Sequence, residues 1–80
     1  RFGIRVNALC PGWVDTPFND PFIAQMGGRE AIMNYLRDKV PLGRWGSVDE
    51  IAESILFLVS KRSSYMTGQI LVVDGGETVA

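Results

Sequence analysis

The chain has 80 residues, is 46% hydrophobic and carries a net charge of −1, the composition of a folded protein near the lower size limit for a self-sufficient core. Near-neutral charge with scattered Lys and Arg excludes a nucleic-acid footprint and a polybasic membrane patch. One cysteine, Cys10, and no histidine exclude an internal disulfide framework, a His-based metal site and a histidine general base.

Residues 4–9 set Ile4, Val6 and Ala8 on one face and Arg5, Asn7 and Leu9 on the other. Both faces carry side chains that need cover, which predicts a central parallel strand. A strand this close to Arg1, with no methionine ahead of it, is expected of a piece of a longer chain. Pro11-Gly12 ends the strand, since proline has no ladder donor and glycine lets the chain turn. Residues 16–28, TPFNDPFIAQMGG, read as a loop with one short helix over residues 21–26, Asp20 as its N-cap and Pro21 at its first position. Phe18, Phe22, Ile23 and Met26 are unusually many apolar side chains for a surface loop.

Residues 29–39 read as a second helix with Ile32, Leu36 and either Met33 or Tyr35 inward, stopped by Val40-Pro41-Leu42-Gly43. Residues 47–62, SVDEIAESILFLVSKR, give the clearest helix. Ser47 and Glu50 form a capping box, with acidic residues at the start and Lys61-Arg62 at the end. Val48, Ile51, Ala52, Ile55, Leu56, Leu58 and Val59 cover a broad apolar face. Phe57 falls in the polar arc, where it fits either a lone exposed aromatic or a partner surface. The longest apolar run, residues 55–59, is too short to cross a bilayer. Gln69 begins a last strand over residues 69–73, closed by the turn Asp74-Gly75-Gly76.

The order is strand, insertion, helix, strand: one βαβ crossover and a parallel pair. Helices on one side leave the other sheet face bare, so its cover is expected from an absent part of the chain or from another subunit. In open parallel sheets, ligands sit beyond the C-terminal strand ends. Gly12 there lets a planar ring approach the backbone, Val14 offers an N–H and C=O pair matched to a carboxamide, and Thr16 adds a hydroxyl. Pro-Gly after a strand is also an ordinary turn.

GIRVNALCPGWVDTPF and VPLGRWGSVDEIAESILFLVSKRSSYMTGQILVVDGG together resemble the segment after the catalytic helix, the final helix and the last strand of short-chain dehydrogenases/reductases. The resemblance runs from Arg1 to about Gly76. It rests on Arg5-x-Asn7, Pro11-Gly12-x-Val14-x-Thr16, Pro41-x-Gly43-Arg44-x-Gly46, the capped helix, and Tyr65-x-Thr67-Gly68 before Val73-Asp74-Gly75-Gly76. It implies an α/β fold, the C-terminal fragment of a doubly wound parallel-sheet (Rossmann-type) domain. Within it, residues 1–12 form the strand and Pro-Gly loop, 13–46 the substrate loop or lid, 47–62 the helix, and 69–76 the last strand and turn.

The resemblance further implies an NAD- or NADP-dependent oxidoreductase that interconverts an alcohol and a ketone or aldehyde. Pro11, Gly12, Trp13 and Val14 match the loop along the nicotinamide, with Val14 facing the carboxamide. Thr16 matches a hydroxyl that holds the carboxamide or the nearby phosphates. The side chains of Trp13 and Asp15 match variable positions and are assigned no chemistry. Phe18, Phe22, Ile23 and Met26 match the loop that closes over substrate, as pocket lining or as packing of the loop. Asn7 is expected to satisfy neighbouring backbone, and Arg5 to pair with a carboxylate outside the fragment. A homodimer or tetramer is implied, meeting through the 47–62 helix and the 69–73 strand. The single cysteine fits a reducing compartment, and a cytoplasmic setting is expected.

Tyr35-x-x-x-Lys39 has the spacing of the family's catalytic pair, in which a lysine lowers the tyrosine pKa. It lies after the Pro-Gly loop instead of before it, and Phe22 stands where the family's serine would. It reads as a chance match on the lid helix. The catalytic serine, tyrosine and lysine, and the glycine-rich phosphate loop, are expected before Arg1, which would leave this polypeptide inactive alone. A non-catalytic binding or assembly protein of the same family is the alternative.

Overall fold

A computed structural model describes residues 2–79. Strand β1 (Ala8–Pro11) is followed by a 3₁₀ turn (Pro17–Asn19), helices α1 (Asp20–Gln25), α2 (Arg29–Lys39) and α3 (Val48–Val59), and a second 3₁₀ turn (Lys61–Ser63). Strand β2 (Ile70–Val73) and a last 3₁₀ turn (Glu77–Val79) complete it. β1 and β2 pair in parallel, Ala8 opposite Ile70 and Pro11 opposite Val73. The Ala8 and Gly12 N–H groups donate to Gln69 and Val73 carbonyls at 2.9 and 3.0 Å. Ladder bonds to β2 therefore fall on the even-numbered residues, and Pro11 sits where its missing donor is no loss to that ladder.

The first strand starts later than the residue pattern predicts. Residues 4–7 lie outside the ladder because Gly68, at φ 71°, turns the partner chain out of register. Side chains take over there. Thr67 Oγ1 accepts the Val6 N–H, and the Gly68 N–H donates to Val6 O. Asn7 donates to Met66 O at 3.2 Å and accepts the Gln69 N–H at 3.0 Å. It thus satisfies neighbouring backbone.

Arg5 finds carbonyls and a hydroxyl rather than a carboxylate. Its guanidinium donates to Leu58 O, Ser60 O, Ser63 O, Ser63 Oγ and Met66 O at 2.7 to 3.3 Å. These acceptors are the end of α3 and the turns after it, where helix carbonyls lack intrahelical partners. The helix itself ends at Val59, and Lys61 and Arg62 lie in the following turn. A fixed fork reaches several acceptors at once, which a lysine cannot do.

α3 starts as its sequence predicts. Glu50 N–H donates to Ser47 Oγ and Ser47 N–H to Glu50 Oε1. Arg44 adds a two-point bond to the same carboxylate at 2.8 and 2.9 Å. That guanidinium first, and then the Ser47 amide, hold the Glu50 carboxyl down at about 2.

α2 keeps the predicted bounds, and Ile32 and Leu36 are fully buried. Tyr35 rather than Met33 turns inward, stacked edge-on against Trp13 with ring centroids 6.2 Å apart. α1 begins one residue earlier than the Pro21 signal suggests, with Asn19 in the cap position and the 3₁₀ turn ahead of it. Ile23, Ile32, Leu36 and Val40 form the core, with Trp13, Tyr35 and Trp45 against it.

The strand pair and α3 are open by contrast. Of residues 48–60, Ile51, Ser54, Leu58 and Ser60 are partly buried and none is fully buried. Ile4, Val6, Ile70 and Val72 of the sheet region, and Ile55, Leu56 and Val59 of α3, are exposed. The radius of gyration is 15.2 Å, against about 12 Å for a compact chain of this length. The surface of 6093 Å² exceeds the roughly 4,800 Å² of a compact monomer this size. Exposed apolar side chains of the sheet and α3 contribute to that surface.

Candidate functional site

Beyond the C-terminal end of β1 the chain passes close to the turn after β2. A Cβ on Gly12 would lie 2.6 Å from Asp74 Cβ and 2.9 Å from Asp74 Cα. Glycine is therefore required at this position by the neighbouring backbone, before any ligand is considered. Asp74 in turn organises the loop below: its carboxylate accepts the Gly76 and Thr78 N–H groups at 2.9 and 3.0 Å. Hydrogen bonds from Thr78, and then from Gly76, hold the Asp74 carboxyl below its usual range.

Residues 13–16 run alongside Gly46. Gly46 N–H donates to Trp13 O, and Asp15 N–H to Gly46 O, both at 2.9 Å, an isolated parallel bridge centred on Val14. In such a bridge the N–H and C=O of the central residue lie along the opposite edge. There the Val14 carbonyl accepts the Thr16 N–H at 2.8 Å and the Asn19 side-chain amide at 2.5 Å. The donor and acceptor pair expected of Val14 is thus half committed, its carbonyl being engaged within the chain. Thr16 precedes the 3₁₀ turn, and its hydroxyl makes no capping bond to it.

A cleft of about 350 Å³ opens beside this segment, lined by Gly12, Trp13, Asn19, Phe22 and Glu77. It brings together the strand-end loop, α1 and the segment after β2. Of the four apolar loop residues, Phe22 lines the cleft. Phe18 is 80% exposed, with its ring centroid 6.3 Å from that of Phe22. Met26 is also exposed. Ile23 belongs to the core, so its side chain anchors α1 to α2. Pro11 is exposed at the strand end. Arg29 spans the other flank, 4.9 Å from the Trp45 ring centroid and 3.9 Å from Asp15.

Two cleft residues carry no pattern in the sequence. Asn19 sits among turn residues, and Glu77 follows the double glycine in a tail without periodicity. Glu77 Oε2 accepts the Tyr35 hydroxyl at 2.7 Å. That bond, then burial and the carboxylate's negative charge, raise the tyrosine pKa above its ordinary value. An acid catalyst needs the opposite shift. Among the described residues no group of three or more His, Cys, Asp and Glu side chains could hold a metal ion. No described helix is long and apolar enough to cross a membrane.

A family described as enoyl-(acyl carrier protein) reductase matches residues 1–78. A short-chain dehydrogenase of Aspergillus ruber is 45% identical over 78 residues, covering 96% of this chain and 27% of the relative. The crystal structure of a short chain dehydrogenase family protein from Francisella tularensis superposes with a TM-score of 0.81 at 37% identity, covering 98% of this chain and 34% of that one. A gluconate 5-dehydrogenase from Burkholderia cenocepacia, solved in complex with NADP and tartrate, superposes at 0.83 with 40% identity, covering 100% and 30%. The chain belongs to the short-chain dehydrogenase/reductase family. It spans 27% to 34% of the length of these relatives, and its parallel pair and helices are a piece of their Rossmann-type α/β domain.

Proposed function

We propose that this chain is the C-terminal part of an NAD(P)-dependent oxidoreductase that interconverts an alcohol and a ketone or aldehyde. The observation that carries the reading is the edge of residues 13–16: a backbone N–H at Val14 and a hydroxyl at Thr16, beside a cleft at a parallel strand end. These groups fit the carboxamide of a nicotinamide. The Val14 N–H and the Thr16 hydroxyl would hold it, with Pro11, Gly12 and Trp13 forming the loop along the ring. When bound, the dinucleotide supplies or accepts the hydride. The residues here orient it, since fixing which ring face meets the substrate is what positioning contributes to the reaction.

In this reading the stretch 18–40, within residues 13–46, is a lid. Phe18, Phe22 and Met26 offer it an apolar inner surface, while Ile23 ties it to its own core. The proton-transferring serine, tyrosine and lysine belong to a part of the protein outside these residues, so the 80-residue piece alone is inactive. The open faces of α3 and β2 meet other parts of the protein and a second copy, giving a cytoplasmic homodimer or tetramer. The exposed Ile55, Leu56 and Val59 support this.

The test uses the full-length protein. Thr16→Val should raise the NADH or NADPH Kd by up to about tenfold, as expected for one lost hydrogen bond of about 1 kcal/mol. Fluorescence titration measures it. An unchanged Kd together with unchanged turnover rejects the role of Thr16.

A further inference from the structure

Among the described residues lining the cleft beside Trp13, Glu77 is the one ionisable side chain. Gly12, Trp13 and Phe22 make the rest mostly apolar. The carboxylate is held in place from several directions. Its backbone N–H donates to Asp74 O at 3.3 Å, and Asp74 also pins the amides on either side of it, those of Gly76 and Thr78. At its tip, Oε2 accepts the Tyr35 hydroxyl at 2.7 Å. Tyr35 is fixed by the Trp13 edge contact and by a helix whose Ile32 and Leu36 are fully buried.

An ionised carboxylate accepts hydrogen bonds and cannot donate them. With Oε2 engaged by Tyr35, Oε1 retains its acceptor sites. Against an apolar wall, such a group rewards a ligand that brings a hydroxyl and penalises one that brings a second negative charge. We infer that Glu77 is a specificity-determining residue that selects uncharged, hydroxyl-bearing substrates and rejects carboxylate-bearing ones, with Tyr35 as its positioning residue. This rests on the reading of the cleft as the substrate site of a dehydrogenase. It gives the Tyr35 position a role that needs no lysine, and it gives the segment after the double glycine a function in the site.

Glu77→Gln isolates the charge, because the amide oxygen still accepts the Tyr35 hydroxyl. The full-length enzyme is assayed with NADH and NADPH on two ketones of similar size, 4-hydroxycyclohexanone and 4-oxocyclohexanecarboxylate. The unmodified enzyme should favour the hydroxyketone in kcat/KM by about tenfold or more, the scale of one charge-assisted contact. Glu77→Gln should cut that preference at least about fivefold, chiefly through a lower KM for the carboxylate, with cofactor Kd held within about twofold. If neither ketone turns over, the affinities of 1,4-cyclohexanediol and cyclohexanecarboxylate for the enzyme–cofactor complex give the same ratio.

A preference that Glu77→Gln leaves unmoved overturns the inference, as does an unmodified enzyme that favours the carboxylate. Tyr35→Phe should reduce the preference part of the way. A lower Tm with an unmoved ratio overturns its positioning role. Failure of the unmodified protein to bind either cofactor instead overturns the dehydrogenase reading, and this inference with it.

Discussion

Residues 20–40 bury Ile23, Ile32, Leu36 and Val40 against one another, whereas β1, β2 and α3 leave Ile70, Val72, Ile55, Leu56 and Val59 open to solvent. Residues 20–40 are the less apolar of the two regions, yet they hold the buried core; the regions differ in what completes them. The insertion carries a small core of its own and docks by polar and aromatic contacts: Arg29 to Asp15 and Trp45, Tyr35 to Glu77 and Trp13. The sheet region supplies half of a hydrophobic layer and awaits the other half. A segment with its own core can keep its shape while its rim contacts change, which suits a cover over a cleft. A half-layer has no such independence.

The sharpest way to break this contrast is to empty each region in the full-length protein. Leu36→Ala should destabilise folding by about 2–5 kcal/mol, since the side chain is fully enclosed. Leu56→Ala should instead shift the oligomeric state, with a smaller change in unfolding midpoint. Urea unfolding and analytical ultracentrifugation read the two effects. If both variants lose stability alike and assembly is unmoved, the contrast fails.

Arg5→Leu tests the seam between strand and helix. It removes one of the donors from each of several carbonyls, which keep a second donor from Ser63, Met66 or Asn7, and should cost about 1–3 kcal/mol. Arg5→Lys should recover less than half of that loss, because an ammonium cannot span acceptors on both sides of the fork. Full recovery by lysine would mean that charge alone, and not fork geometry, closes the helix.

The smallest effect concerns the start of α3. Glu50 sits at about 2 when folded, against an ordinary 4.5. A folded value below the unfolded one stabilises the protein above pH 4.5, and the contribution is lost as pH falls toward 2. Thermal unfolding followed from pH 7 to pH 2 should show a steeper acid-side fall for the unmodified protein than for Glu50→Gln. The pair is exposed, so added salt should flatten the difference. Identical slopes would remove Glu50 from the acid response.

Much of the frame was legible because it is written in local chemistry. The capping box of Ser47 and Glu50, the bounds of α2 and the parallel crossover each follow from residues adjacent in sequence or one helical turn apart. What escaped depends on segments that meet only in the folded chain. Arg5 read as half of an ion pair, because helix-end carbonyls leave no mark on a charge pattern. Gly12 read as a turn residue or a landing for a ring; the turn at Asp74, which also excludes a Cβ there, leaves no mark on the local sequence. The Val14 carbonyl is taken by the Thr16 N–H and the Asn19 side chain, an engagement that depends on how the following turn folds back. Glu77 enters the cleft only because the turn after β2 folds back beneath Trp13.

The clasp made by Arg5 bears on the order of assembly. Its acceptors lie 53 to 61 positions further along, so a growing polypeptide displays the guanidinium long before the carbonyls it will hold have been synthesised. Until the two distant stretches dock, the end of α3 has only its local donors, Ser60 and Ser63, and water. Contacts that span most of a chain close late and slowly. The finished helix terminus is therefore a mark of completed folding, and hydrogen exchange at the amides of residues 60–66 should register that closing step.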